Sequence, residues 1–148
     1  MVFTWKEGSR IKTDANIAGA ICAEMEAAGT LTAENLVEVS RPKNAPLHAE
    51  FEWNDSKAAD EWRKYQARHL INCLVVVTEP ETKAGVRAFF KIDGFANNYE
   101  SVVAIVQQED KYAALKKTAF RELAAFRKKY EQIEELASVF AAIDVLIN

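Results

Sequence analysis

"NCLVVVTEPETKAGVRAFFKIDG", residues 72–94, decides the fold class of this 148-residue chain. Val75, Val77, Val86, Phe89 and Phe90 favour extended backbone, and "EPETKAG" between them is a loop with turn residues at both ends. The stretch reads as a β-hairpin. Nearly everything around it reads as helix, so the expected class is α+β: mostly helical, with a small antiparallel hairpin or sheet. Immediately downstream, "YESVVAIVQ" reads as a third strand on its β-branched residues, with a short buried helical turn as the alternative.

Upstream of the hairpin, Thr13 or Asp14 caps a first helix, "ANIAGAICAEMEAAG". Its apolar positions Ile17, Ile21 and Met25 recur every four residues beside Ala18 and Cys22, and Gly29 ends it. A second short helix starts at Thr32 and stops before Pro42. Such a pair could read DNA as a helix-turn-helix. Glu34 and Glu38 stand where phosphates would want lysine, so a packed helical hairpin is the default. Asn54 or Asp55 caps a third helix. One face of it carries Ala58, Ala59, Trp62, Tyr65 and His69 or Leu70; the other carries Asp60, Glu61, Arg63, Lys64 and Arg68. Its carboxylates come early and its bases late, the order a helix macrodipole favours.

Only five glycines and three prolines punctuate the chain, none after Gly94, which implies a helical last third. There Tyr112, Ala119, Phe126, Ile133, Phe140 and Ile147 recur at sevens, with Leu115, Leu136 and Ile143 three residues on. Either one helix of roughly 55 Å at 1.5 Å per residue or two helices broken near Tyr130 to Glu134 fits the pattern. Residues 111–129 are basic and 131–144 acidic. In one long helix that order opposes the macrodipole at a few tenths of a kcal/mol per group. Antiparallel pairing, within a folded-back hairpin or between two chains, would offset the cost. Self-association through these helices is therefore expected.

Length and composition fit one domain over 1–148, helical over 1–72, with a hairpin region at 73–107 and helices over 109–147. The 49% apolar and 28% charged content is that of a globular protein. The longest apolar run, "CLVVV", is far too short to cross a bilayer, and the start lacks a signal-peptide layout. Cys22 and Cys73, without CxxC spacing, read as two buried thiols in an intracellular protein. Residues 1–55 carry net −4, 56–94 net +2 and 95–148 net −1, so bulk charge does not attract nucleic acid while a local basic face remains open.

Chemistry is thin. His48, Glu50 and Glu52 alternate as ligands on a strand might, but no metal-binding spacing accompanies them, and no nucleophile elbow or phosphate loop is present. No cofactor and no metal are expected. The loop "RPKNAPLHAEFEW" (41–53) gathers Arg41, Lys43, His48, Phe51 and Trp53, residue types that suit partner proteins and nucleic-acid bases alike. The competing reading anchors Phe51 and Trp53 to the core, with Trp53 stapled onto Ala58 or Ala59.

Pro46-Leu47-His48, Phe51-Glu52-Trp53, Ala58-Ala59, Arg63, Gln66-Ala67-Arg68 and Tyr130, in this order over nearly the whole chain, resemble a family of small proteins encoded in tailed phages and prophages. The resemblance implies a non-enzymatic accessory role that handles phage or host DNA or binds a host protein, in the host cytoplasm or on the virion. The leading expectation is association with DNA, with Arg41, Lys43, Arg63, Lys64 and Arg68 on phosphates. The second is a protein-interaction module that binds a host or virion protein through the Trp53 loop. A third is a hydrolase using His48 and nearby carboxylates.

Overall fold

The structure, a computed structural model, describes residues 1–54, 57–82 and 84–148, without the side chains of Lys57 and Ala58. The third-helix cap assigned to Asp55, and the Trp53 contact with Ala58, lie outside those residues. Two compact units form, Met1–Ile105 and Val106–Asn148.

Unit 1 is built around an antiparallel sheet of β1 (Phe3–Trp5), β2 (Leu74–Glu79) and β3 (Ala84–Arg87), in that spatial order. The hairpin β2–β3 stands where the sequence puts it, with a bulge between Val77 and Glu79. Gly85 is required there, because a Cβ would collide with the Val76 carbonyl. The amino-terminal strand is an addition: Phe3 pairs with Val76 and Trp5 with Leu74. A three-residue strand has no periodicity to read, and only its tertiary partner makes it one. "YESVVAIVQ" divides. Glu100–Ser101 is strand β5, paired with β4 (Phe89–Phe90), and Val102–Ile105 is a helical turn, α4. The β-branched run therefore gives way to helix once the Val102 amide donates to the Ala88 carbonyl (2.8 Å).

Helix α1 (Ala15–Ala27) is capped by Asp14, which accepts from the Asn16 and Ile17 amides, and the chain leaves it through Gly29 at φ 70°. Its buried stripe is Ala15, Ala18, Gly19, Cys22 and Met25, while Ile17 is exposed. Gly19 faces Phe3 so closely that a Cβ would strike the ring, and small residues on this face are what let the helix sit on the sheet. Helix α2 (Ala33–Ser40) is capped by Thr32 and ends before Pro42. Helix α3 (Lys57–Cys73) packs against α2 and feeds straight into β2. Leu31, Leu36, Leu47, Leu70, Ile71, Leu74 and Phe89 fill the core between these layers.

Unit 2 is a helical hairpin of α5 (Glu109–Lys129) and α6 (Ala137–Ile147), separated by a turn after Tyr130 and a 3-10 turn over Glu134–Leu136. The break corrects the charge argument made for a single helix. Taken alone, α5 has Glu109 and Asp110 in its first turn and Arg127, Lys128 and Lys129 in its last, the order the macrodipole favours. Arg127 reaches back across the hairpin to both carboxylate oxygens of Asp144 (2.5 and 3.0 Å), which holds the guanidinium above its ordinary pKa. Phe126 meets the edge of Phe140 with ring centres 6.4 Å apart.

Candidate functional site

The outward face of α3 differs from the one its sequence predicts. Ala59, Arg63, Ala67, Leu70 and Ile71 turn inward. Two alanines let the helix approach its neighbours, and Leu70 with Ile71 supplies the apolar contact. Trp62 (51% exposed), Tyr65 (54%) and His69 are left on the surface. They stack as a ladder, Trp62 on Tyr65 with centres 5.2 Å apart at 16° and Tyr65 on His69 at 6.5 Å and 6°. Spacings of three and four residues put consecutive rungs on one side of a helix.

The ladder forms one wall of an open cleft of about 540 Å³, with Arg10, Ile11, Glu50, Gln66 and Leu70 completing the lining. Glu50 is fixed. Its Oε1 accepts from the Lys12 amide (3.0 Å), the Thr13 amide (2.7 Å) and the Thr13 hydroxyl (2.7 Å), tying the loop before α1 to the 3-10 turn His48–Glu50. Gln66 accepts from the Glu52 amide (3.1 Å), so this wall too is pinned to the incoming loop. The cleft thus has rigid sides and an exposed aromatic wall, a surface type enriched where proteins bind partners.

Trp53 belongs to a different construction. Its ring lies flat on His48, centres 4.8 Å apart at 4°, and its Nε1 donates to the His48 carbonyl (2.7 Å). His48 in turn donates from Nδ1 to the Ser40 carbonyl (3.0 Å); that oxygen only accepts, which fixes the tautomer. Arg63 lies beneath, 3% exposed, its carbon 5.3 Å from the Trp53 ring centre. One of its terminal nitrogens donates to the carbonyls of Glu52 (2.9 Å) and Asn54 (3.3 Å), and the other stands 3.5 Å from Asp60. Its buried Nε has no hydrogen-bond partner among the described residues, a cost the indole face partly offsets. Arg63 is therefore a clamp on the strap 52–54, not a surface cation, which corrects its placement beside Lys64 on an outer face. A strap crossing a helix leaves carbonyls to satisfy, and a long forked donor does this from below.

The remaining expected site residues lie beside this strap or on the surface. Arg41 forms a two-pronged ion pair with Glu38 (2.8 Å for the closer prong), which lowers the Glu38 pKa, and lies 5.4 Å from the Trp53 ring centre. Lys64 pairs with Glu61 (3.3 Å) and Asp60 (3.5 Å). Lys43 and Arg68 are exposed, on separate elements. Arg41 and Arg63 lie against the same Trp53 ring, and Arg63 and Lys64 share Asp60, so three of the five bases gather here, each beside a carboxylate.

The groups expected to do chemistry are tied to backbone. His48, Glu50 and Glu52 are each bonded to backbone on a 3-10 turn and the strap after it, not ranged along a strand. Among the described residues, no group of three or more histidine, cysteine or acidic side chains could hold a metal ion. Cys22 is fully buried, and burial pushes its thiol pKa up to about 12, far from a reactive thiolate. Cys73 Sγ lies 3.6 and 3.9 Å from the two ring nitrogens of His69. A sulfur aligned with one nitrogen's lone pair would stand much farther from the other, so this is a side contact and not an activated dyad. No helix among the described residues is long and apolar enough to cross a membrane. Set against family models, curated proteins and solved structures, the chain matches none.

Proposed function

We propose that this chain is a non-enzymatic accessory protein that holds a partner protein in the cleft beside the α3 ladder. One observation carries the reading: three stacked rings stay exposed on a helix whose opposite face is fully packed. Leaving a Trp–Tyr–His ladder in water forfeits apolar burial that a partner would recover. Arg10 and Glu50 at the cleft suit a polypeptide carrying an apolar anchor and charges of both signs. Mixed charge of this kind weakens the pull on a phosphate chain, and the DNA surface expected from the sequence has lost Arg63 to the interior and Arg41 and Lys64 to neighbouring acids. The working aromatic is then Trp62, not Trp53.

A photo-crosslinking residue at Gln66 tests this in cells. The expected product is one discrete protein that rebinds when purified, tolerates raised salt and is lost in a Trp62→Ala/Tyr65→Ala variant. Crosslinks to nucleic acid alone, or a capture that this variant leaves intact, refute it.

A second observation favours self-association as the way the protein is presented. Among the described residues of unit 2, only Phe140 and Ile143 are buried, while Tyr112, Phe126, Ile133, Val139 and Leu146 remain exposed. A two-helix hairpin this small lacks the core to stand alone. A second copy would close it into a four-helix bundle, the antiparallel approach setting the basic end of α5 near acidic 131–144. Sedimentation through a salt series should show dimers or larger; a monomer at every salt concentration removes this reading.

A further inference from the structure

We propose that the ladder cleft takes an arginine side chain of its partner, the guanidinium donating to Glu50 while its plane lies against the stacked rings. This rests on the cleft being the partner's seat, and it names the group that anchors there. At about 540 Å³ the cleft falls within the roughly 300–1,000 Å³ usual for ligand pockets, and Glu50, Trp62, Tyr65 and His69 all line it.

The carboxylate points to the ligand. Its hydrogen bonds all fall on Oε1, from the Lys12 amide, the Thr13 amide and the Thr13 hydroxyl. Oε2 takes none among the described residues. It is not sealed away either, because among those residues Arg63 Nε alone is a buried side-chain atom without a partner. Oε2 is therefore open to solvent on a residue that lines the cleft, and the bonds to its twin hold it in one orientation. A fixed, accessible carboxylate oxygen beside exposed aromatic rings is complementary to a cation. Trp62 and Tyr65 are half-exposed, so ring surface is free to receive one. Arginine fits better than lysine. Its plane stacks on a ring while an N–H in that plane reaches the oxygen, whereas an ammonium is a compact, strongly hydrated charge.

Arg10 shares the lining and opposes a cation. It is exposed, so removing its charge spares the fold and gives the site a variant that moves binding upward. Glu50→Gln moves it downward. The Lys12 and Thr13 donors keep the carbonyl oxygen of the glutamine in the place of Oε1, which turns its NH2 into the place of Oε2. The tie between the two loops survives, and the cleft loses its acceptor.

N-Acetylarginine amide titrated into the ¹⁵N-labelled full chain is the test. The lysine and citrulline analogues at equal concentration are the controls, citrulline keeping the side chain's shape without its charge. Saturable shifts are expected at the Trp62 indole N–H and the Gln66 side-chain amide with arginine, weaker ones with lysine and none with citrulline. Glu50→Gln should weaken arginine binding about tenfold, as for a charged hydrogen bond. Trp62→Ala/Tyr65→Ala should weaken it about fivefold, as for an exposed cation–π contact, and Arg10→Gln should tighten it about threefold. Shifts that do not saturate, that lysine or citrulline matches, or that Glu50→Gln leaves unchanged overturn the proposal. Photo-crosslinking from Gln66, repeated in Glu50→Gln, separates this from the partner reading. A protein captured equally by variant and parent leaves the partner cleft standing and overturns its arginine; capture by neither overturns both.

Discussion

Replacing Trp53 by alanine should cost unit 1 about 3 kcal/mol. Full truncation of a core tryptophan costs about 3–5 kcal/mol; Trp53 is half-buried, so about 2 kcal/mol is the packing share. Its Nε1 bond to the His48 carbonyl adds about 1 kcal/mol. The uncovered Arg63 guanidinium, buried with an unpartnered Nε, pushes the figure upward. Against a typical total of about 5–15 kcal/mol, the loss is large but compatible with folding. Urea unfolding followed by the emission of Trp5 and Trp62, both in unit 1, reports it directly. With a slope of about 2 kcal/mol per molar, the midpoint should drop by about 1.5 M. Trp62→Ala is the matched control, because its ring is half-exposed; it should stay within about 0.5 kcal/mol of the parent. A Trp53→Ala midpoint within about 0.25 M of the parent, at that slope, would refute the brace. An equal loss in Trp62→Ala would make the ladder a structural feature and remove the working surface.

Gly19→Ala should destabilise unit 1 by about 2 kcal/mol in the same assay, because the new methyl meets the Phe3 ring in a packed layer; a neutral result would mean that α1 does not sit on β1. Alkaline stability should fall through the Cys22 thiol, whose folded pKa is raised from 9.0 to about 12. The folded state then holds the proton more tightly, so this contribution is complete below pH 9 and drains away between 9 and about 12, by up to about 1.4 kcal/mol per pH unit. Cys22→Ala should flatten that slope, read from urea midpoints at several pH values, and an unchanged slope counts against it. In unit 2, Arg127→Asp and Asp144→Arg should each lower the melting temperature of the hairpin's transition in the full-length chain, and the double exchange should restore it. Failure of the exchange to rescue would show that the pair does not hold the hairpin.

The helix caps were legible in the sequence because they are local chemistry: Asp14 and Thr32 stand immediately before helical runs and bond the nearest amides. The β2–β3 hairpin was legible for the same reason. The inward face of α3 was legible only in part: Ala59 and Leu70 belong to the expected apolar face and are buried, while Trp62 and Tyr65 of that face are exposed. Ala59, Ala67, Leu70 and Ile71 are spaced as well as Trp62, Tyr65 and His69, and hydrophobic weight favours the aromatic set. What decides between them is how closely α2 approaches, a fact of tertiary packing that alanines at 59 and 67 signal only afterwards. Arg63 follows from the same rotation, since a charge on a helix reads as solvent-facing until a strap is known to cross it. The cleft of Arg10, Glu50 and the ladder joins segments far apart in the chain, and no spacing rule reaches that distance.

The pairing of β1 with β2 sets an order on synthesis. Phe3–Trp5 leaves the ribosome before its ladder partner, Leu74–Val76, which is made about seventy residues later, and before Phe89, which stacks on Phe3 and comes later still. Until then an apolar amino-terminal segment has no edge to join, a condition in which nascent chains recruit chaperones or one another. Unit 2 pairs helices adjacent in the chain, so it waits on no distant segment, only on the second copy proposed to complete its core.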